Sequence, residues 1–458
     1  MPVFESRSLM PVPIDELFAY HARPGAFERL APPWQRLRIL EQEGGMRDGG
    51  RVEFKVYVGP VGKRWVAEMG GYVEGRQFVG RQVEGPFASW EHTHRFLPGA
   101  DGSTSELLDH IEYSLPAGIL TDPIGAGPAR KQLERLFRFR QARTRADLER
   151  HAVWADRPRL RVAISGASGL IGSSLAVYLT TAGHEVVKLV RRAAAGPGEV
   201  SWDPAAGRLD PADLAGVDAV VNLAGVSIAS LWTAGRREAI LNSRVDATRT
   251  LVAAMARMDA PPAVFVSASA VGAYGSRGGA AVTEHTELGS GYLADVCRAW
   301  EAAAAPVADA GVRVVTPRFG IVMSGAGGAL AKMLPAFKVG LGARLGDGHQ
   351  WWAWIDLDDL LAAVEWMLHD EDLSGAVNVT APEPVTNLEF TKTLGHVLRR
   401  PAALAAPRLA VAKGLGGMGR EMFLASQRAV PARLRAQGFR FTIPELEPAL
   451  RFELGRAR

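Results

Sequence analysis

An apolar strand, Leu160-Arg161-Val162-Ala163-Ile164, runs directly into Ser165-Gly166-Ala167-Ser168-Gly169-Leu170-Ile171-Gly172, and a helix opens at Ser173-Ser174-Leu175-Ala176. Glycines in GxxGxxG spacing at a strand-to-helix turn let the backbone approach a pyrophosphate. The anion then rests on the helix N-terminus, where free N–H groups and the dipole favour negative charge. A tight turn can produce the same spacing by chance, so the order of the surrounding elements carries the weight. Apolar runs recur at 160–165, 185–190, 218–223, 263–268 and 313–318, with helical or Ala-rich stretches between them. That alternation is the pattern of βαβ units and predicts an α/β fold with a doubly wound parallel sheet. Gly166, Ser168, Gly169, Leu170, Ile171 and Gly172 are the expected cofactor-binding residues of its first turn.

The second strand, Glu185-Val186-Val187-Lys188-Leu189-Val190, ends in Arg191-Arg192. About 20 residues beyond the glycines, an NAD site presents an acid to the ribose hydroxyls, whereas arginine suits the 2′-phosphate of NADP. Paired guanidinium donors match phosphate oxygens. The expected cofactor is therefore NADP(H), read by Arg191 and Arg192; the alternative is a surface arginine pair closing a strand. A third strand ends in Asn222-Leu223-Ala224-Gly225, whose small Ala224 and Gly225 let the cofactor pass close to the backbone.

The chain's 458 residues leave room for two or three domains. A net charge of +4 does not demand a nucleic-acid partner. The lone cysteine, Cys297, excludes an intramolecular disulfide and a thiolate zinc site, and suits a reducing compartment. The opening residues have no basic region followed by an apolar core, and no window reaches the roughly 18 apolar residues of a membrane span. A cytoplasmic protein without membrane or nucleic-acid partners is expected; the sequence does not set its oligomeric state.

Residues 1–152 follow a different pattern. Arg51 to Val58 alternates apolar and polar side chains, the period of a half-buried strand, and similar runs occur at 63–69, 76–83, 88–96 and 106–114. Pro13 to Phe18 reads as a helix start. Residues 127–150 read as one long basic helix with Leu133, Leu136, Phe137 and Leu148 at helical spacing. This order of elements resembles the START-like (SRPBCC) helix-grip fold, an α+β domain. The resemblance implies a curved sheet wrapped on the last helix around an apolar cavity for a hydrophobic ligand. Arginines at 135, 138, 140, 143, 145 and 150 are interspersed with Glu134, Asp147 and Glu149, as on a solvated helix face. His92 and His94 lie two apart and could share a face and a metal. No carboxylate partner is evident beside them, so they read as plain strand histidines and no metal site is expected. Residues 153–159 form the expected linker.

From 160 to 445 the motifs resemble the extended short-chain dehydrogenase/reductase superfamily. The resemblance is to its atypical "epimerase family" branch, which carries a C-terminal DUF1731 segment. It rests on Ser165 to Gly172, Asn222 to Gly225, Leu231-Trp232-Thr233, Asn242-Ser243-Arg244, Ser267-Ala268-Ser269, Tyr274-Gly275 and Trp300-Glu301. Later motifs are Gly346 to Trp351, Trp354 to Asp359, Asn378 to Asn387 and Leu424 to Arg428. It implies an NAD(P)-binding Rossmann domain over 160–398 and the DUF1731 segment over 399–450, the C-terminal third supplying a small substrate lobe.

The wider superfamily uses serine with Tyr and Lys spaced YxxxK, two side chains on one helix face. The lysine and the nicotinamide charge lower the tyrosine pKa so that its phenol exchanges a proton with the substrate. Ser269 stands at the serine, but counting back from Glu301 puts Leu293 and Cys297 at the tyrosine and lysine, and a shift of one residue gives Tyr292 with Val296, so neither register restores the pair. No lysine occurs between Lys188 and Lys332. Ser269, Tyr274 and Tyr292 are the substitute catalytic candidates; Cys297, mid-helix and alone, reads as inert packing. Arg244 and Arg318 could clamp an anionic substrate or the cofactor phosphates, or form structural ion pairs; Arg318 is assigned to the cofactor and Arg244 to substrate. Trp351 and Trp354 could stack on a planar or sugar-like ligand or close the core of the small lobe. Two functions stay open. One is an NADP-dependent oxidoreductase or epimerase acting on a small metabolite. The other is an NADP(H)-responsive binding or regulatory protein without turnover, which the missing Tyr-Lys pair favours.

Overall fold

The structure, a computed structural model, describes residues 2–116 and 123–457. It divides into two compact units, Met1–Pro158 with Thr180–Gly183 and Arg159–Leu179 with His184–Arg458.

The first unit is a helix-grip domain. Its strands are β1 (Val3–Met10), β2 (Leu37–Glu43), β3 (Arg51–Val58), β4 (Val61–Val73), β5 (Gln77–Glu84), β6 (Ser89–Pro98) and β7 (Ser105–Ser114), with helix α1 (Ile14–Ala22) after β1 and helix α2 (Pro123–Ala152) at the end. They form one antiparallel sheet in the order β1-β7-β6-β5-β4-β3-β2. The strand β2 was not legible in the sequence, because its residues lie mostly exposed on the sheet edge and show no apolar period.

Along β7 the alternate residues Ser105, Leu107, Asp109, Ile111 and Tyr113 are buried, so a carboxylate occupies the inward face. Apolar packing forms two groups. Met10, Leu17, Phe18, Phe78, Phe96, Leu107 and Leu148 make one. Phe4, Ile111, Tyr113, Leu133 and Phe137 make the other, with the Phe4 and Phe137 rings 5.2 Å apart. Rings of His92 and Phe137 meet at 5.5 Å, those of His94 and Phe78 at 4.5 Å, and those of His21 and Phe96 at 5.3 Å. A polar seam thus crosses the interior that the family resemblance led us to expect to be apolar.

The second unit is a Rossmann-type domain. Its strands are β8 (Arg161–Ser165), β9 (Glu185–Val190), β10 (Glu199–Ser201), β11 (Ala219–Asn222), β12 (Val264–Ser267), β13 (Arg313–Phe319) and β14 (Gly375–Val379). They lie parallel in the order β10-β9-β8-β11-β12-β13-β14, and a two-residue strand, Ser269–Ala270, also pairs with β13. Strands covered on both faces read as continuous apolar runs. Val162, Ile164, Val221 and Val266 pack with helix α3 (Leu170–Thr181) on one face. Ala163, Val220 and Phe265 pack with helix α4 (Ala234–Met255) on the other. The strands β10 and β14 escaped the sequence reading, being short and broken by Ser201 and Asn378. A small lobe gathers Met323, Phe337, Trp352, Trp354, Phe390 and Leu450 into a separate core. Among the described residues, no helix is long and apolar enough to cross a membrane.

Candidate cofactor and active site

The sheet order reverses between β8 and β11, and a crevice opens at the carboxyl ends of strands flanking such a switch point. Gly166 occupies this turn with φ +69°, a conformation that costs side-chain-bearing residues energy. A Cβ there would lie 2.6 Å from the Leu223 carbonyl oxygen, and one on Gly172 only 2.3 Å from that of Gly166. Both glycines are therefore required by close backbone packing at the start of α3. Ser168 and Gly169 stay exposed on the loop, and Leu170 and Ile171 are half-buried.

Buried Asn222 locks the crevice. Its Oδ1 accepts from Ser165 Oγ at 2.7 Å, and its Nδ2 donates to Thr248 Oγ1 at 2.8 Å and Ser267 Oγ at 3.2 Å. One side chain thereby ties β8, β11 and β12 to α4. Ala224 and Gly225 follow it, and a Cβ on Gly225 would come within 3.1 Å of Arg244 Cζ.

At the end of β9, Arg192 makes a bidentate ion pair with Glu199, at 2.6 and 2.7 Å. The Arg192 hydrogen bonds, with the Ala195 N–H, bring the Glu199 carboxyl down to about 2. Arg191 makes no ion pair among the described residues and is exposed. Both arginines line a depression of about 320 Å³ with Ser201, Trp202, Asp203 and Arg208.

Asn222 pairs in register with Ser267 on β12, so Ser269 lies two residues past the carboxyl end of the same sheet edge. Ser269 Oγ donates to Glu301 Oε1 at 2.6 Å, from helix α5 (Tyr292–Ala304). Arg318 grips the same carboxylate through Nε at 2.9 Å and Nη2 at 2.8 Å. Its Nη1 donates to Tyr274 OH at 3.0 Å, and that hydroxyl donates to Asn378 Oδ1 at 2.7 Å. The chain Ser269–Glu301–Arg318–Tyr274–Asn378 is thus joined across three strands and a helix. Ser269 is itself buried, and with its hydroxyl proton donated to Glu301 its oxygen is left to act as an acceptor.

Profiles of known families match all three parts of the chain: polyketide cyclase/dehydrase and lipid transport at residues 10–137, NAD dependent epimerase/dehydratase at 162–380, and DUF1731 at 406–453. An epimerase family protein of Mycobacterium bovis is 46% identical over 281 residues, 61% of this chain and 93% of that protein. The chain belongs to the NAD dependent epimerase/dehydratase family. A crystal structure of a nucleoside-diphosphate sugar epimerase from Corynebacterium glutamicum aligns at a TM-score of 0.82 and 33% identity, covering 99% of this chain and 90% of that one. A human epimerase family protein crystallised with NADPH aligns at a TM-score of 0.59 and 33% identity, covering 64% of this chain and 99% of that one. The second unit is accordingly an NAD(P)-binding epimerase-family domain.

Several expected roles change on this epimerase-family framework. Arg318 is buried and bonded to Glu301 and Tyr274, which is the ion-pair alternative for this residue. Arg244 donates to the carbonyls of Val226 at 3.1 Å and Ile240 at 3.0 Å and stacks 5.1 Å above Trp300, so it latches the loop after β11 to α4. Tyr274 is fully buried, which raises its pKa, and its hydroxyl is held between Arg318 and Asn378. The Tyr292 hydroxyl turns away to donate to the Arg237 carbonyl. Trp354 is a core residue whose Nε1 donates to Glu383 O at 3.0 Å, whereas Trp351 stays half-buried beneath the Arg428 guanidinium.

Leu293, one of the residues the sequence offered for the usual tyrosine position, packs toward Gly272. Burial, with the charge of Glu301 second, pushes the Cys297 thiol up to about 11, so it remains a thiol. The sequence reading missed Glu421. Its carboxylate accepts from the Tyr292 N–H at 3.2 Å and the Leu293 N–H at 2.8 Å, capping α5 from the C-terminal segment. Only the tertiary fold brings residues that far apart in sequence together.

Proposed function

We propose that this chain is a cytoplasmic NADP(H)-dependent oxidoreductase or epimerase-like enzyme acting on a small metabolite. The observation that carries the reading is the Ser269–Glu301–Arg318 chain, held at the same sheet end as the glycine crevice. The cofactor would lie over Gly166 to Gly172, with its adenosine ribose toward Arg191 and Arg192. An exposed ion pair such as Arg192–Glu199 is weak, so a phosphate can recruit that guanidinium from its carboxylate. Unpaired Arg191 adds a second donor. NADP(H) supplies the hydride. Ser269 orients the reacting oxygen or nitrogen, and Glu301 and Arg318 hold the serine.

Leu293 and Cys297 supply no ionisable partner at neutral pH, and this favours a second reading, an NADP(H)-responsive protein without turnover. Two experiments test the pair of readings. Fluorescence titration with NADPH and NADH is expected to show a clear NADPH preference; equal affinities refute the cofactor assignment. Deuterium exchange from labelled NADPH into a metabolite pool is expected for the enzyme, even where no net cofactor is consumed. Tight NADPH binding with no exchange across that pool supports the silent protein.

A further inference from the structure

In β6, side chains two residues apart point to the same face of the sheet, so His92 and His94 face together. The neighbouring strand places Asp109 directly opposite His94. His92 Nε2 lies 3.0 Å, and His94 Nδ1 2.8 Å, from the same carboxylate oxygen, Oδ1 of Asp109. The two imidazole rings are 3.9 Å apart between centroids, and the three donor atoms all lie within 4.8 Å of one another.

As a set of hydrogen bonds this arrangement is poor. Two rings converge on one oxygen, and among the described residues the buried Nδ1 of His94, although 2.8 Å from it, makes no hydrogen bond of good angle. As a coordination sphere it is good. Zinc-type bonds of about 2.0–2.2 Å, opened to right or tetrahedral angles, separate donor atoms by roughly 3.0–3.5 Å. Two imidazole nitrogens and a carboxylate oxygen are also a donor set that divalent transition metals accept.

We propose that His92, His94 and Asp109 bind a divalent transition-metal ion, of the zinc, cobalt or ferrous class, inside the helix-grip domain. The surroundings suit the ion. Burial, reinforced for His94 by the nearby His92, holds both imidazoles below their ordinary pKa, with His94 at about 4. They are neutral at physiological pH, so binding displaces no proton from them. His21 donates Nδ1–H to the Leu17 carbonyl at 2.9 Å, which leaves its Nε2 lone pair available, 6.1 Å ring to ring from His94. Three protein ligands leave a position open, as in sites that hold a water or an exogenous ligand, not as in closed structural sites.

Among the described residues a second cluster, His184, Glu365 and His369, has comparable spacing. There His184 Nδ1 already accepts the Leu160 N–H at 2.9 Å, and Glu365 accepts Tyr178 OH at 2.7 Å. An accepting Nδ1 puts the ring proton on Nε2, the nitrogen that faces Glu365 Oε1 at 3.5 Å, and leaves it no lone pair for a metal, so the first cluster is the stronger site.

The test is a cobalt(II) titration of the full chain, freed of metal, followed by visible absorption. The expected result is one equivalent bound with d–d bands, and an affinity lowered at least about 100-fold by His94→Gln or Asp109→Asn. Absence of binding by the unaltered chain overturns the proposal. So does unchanged binding by His92→Gln/His94→Gln, which would place the ion elsewhere. Should these variants fail to fold, proton NMR of the cobalt-loaded unaltered chain decides: two hyperfine-shifted imidazoles are expected, and none refutes the site.

Discussion

Gly172→Ala separates two physical effects of opposite sign. Gly172 lies within α3, where alanine is favoured over glycine by about 0.8–1.0 kcal/mol, so propensity alone predicts a more stable protein. The new Cβ, however, would sit 2.3 Å from Gly166 O, 2.8 Å from Gly166 C and 2.9 Å from Ala167 Cα, where real Cβ contacts essentially never fall below 3.0 Å. All three atoms are backbone of the glycine turn, so no side chain can swing aside. Overpacking of this kind costs about 1–3 kcal/mol, which exceeds the propensity gain. A net loss of up to about 2 kcal/mol is expected in chemical denaturation. The turn must also retreat by most of an ångström, and misplacement on that scale costs about 100-fold, here read in the NADPH dissociation constant. Gly235→Ala is the matched control, because a Cβ at that position in α4 meets nothing within 4 Å. It should leave NADPH binding unchanged and stability equal or higher. A Gly172→Ala protein that gains stability and binds NADPH like the parent would refute the packing argument.

Arg191→Ala should weaken NADPH at least about 10-fold while leaving NADH within about 2-fold, since only the former carries the 2′-phosphate. Fluorescence titration checks it, and equal losses would overturn the assignment. Alkylation by iodoacetamide at neutral pH should leave Cys297 unmodified in the folded chain, because burial raises its thiol to about 11. Rapid labelling seen by intact-mass spectrometry would contradict that.

In the chain freed of metal, acid should destabilise the helix-grip domain before it protonates ordinary carboxylates. Burial and the neighbouring imidazoles depress His21 and His94 from 6.5 to about 4, beside His92, Asp109 and Arg140. The unfolded chain therefore takes up protons as pH falls through 6.5, and the folded chain only near 4. Stability present above about pH 6.5 is lost toward pH 4, by roughly 3 kcal/mol for a single such imidazole. Denaturation midpoints that stay constant over this range would contradict the burial of these rings.

What the sequence disclosed was local, and what it concealed was tertiary. The turn from Gly166 to Gly172 is contiguous, and its strand and helix flank it, so loop and sheet class were both legible. His92 and His94 were visible as a same-face pair. Their carboxylate was not, because Asp109 reaches them across the β6–β7 ladder and no spacing along the chain encodes that register. The partner of Ser269 was likewise hidden. Glu301 was readable as a motif residue, but its capture by Arg318 depends on how α5 lies over β13. The tryptophans show the limit of residue type as a signal: Trp351 and Trp354 are equally aromatic, yet one is half-buried and the other is core. Arg192 illustrates the same limit for charge, since its partner Glu199 sits on β10, a three-residue strand too short to be read.

The division of labour within the Ser269–Glu301–Arg318 chain can be resolved by comparing two substitutions. Ser269→Ala removes a hydroxyl but leaves both Arg318–Glu301 hydrogen bonds in place, and a single bond of this kind contributes about 1.5–3 kcal/mol when one partner is ionised. Glu301→Gln strips the charge partner from Arg318, whose side chain is only 6% exposed. Breaking a buried pair on one side costs about 3–5 kcal/mol, because the remaining charge has nowhere to be solvated. If Ser269 is the group that meets substrate, its alanine variant should abolish deuterium exchange from NADPH while losing no more stability than that one hydrogen bond, about 1.5–3 kcal/mol, and keeping its NADPH affinity. Glu301→Gln should then lower stability and exchange together. If instead the serine only ties the short strand Ser269–Ala270 to α5, exchange should survive Ser269→Ala at close to its original rate. That outcome would remove Ser269 from the reaction and leave the hydride step with no protein group assigned to orient its substrate.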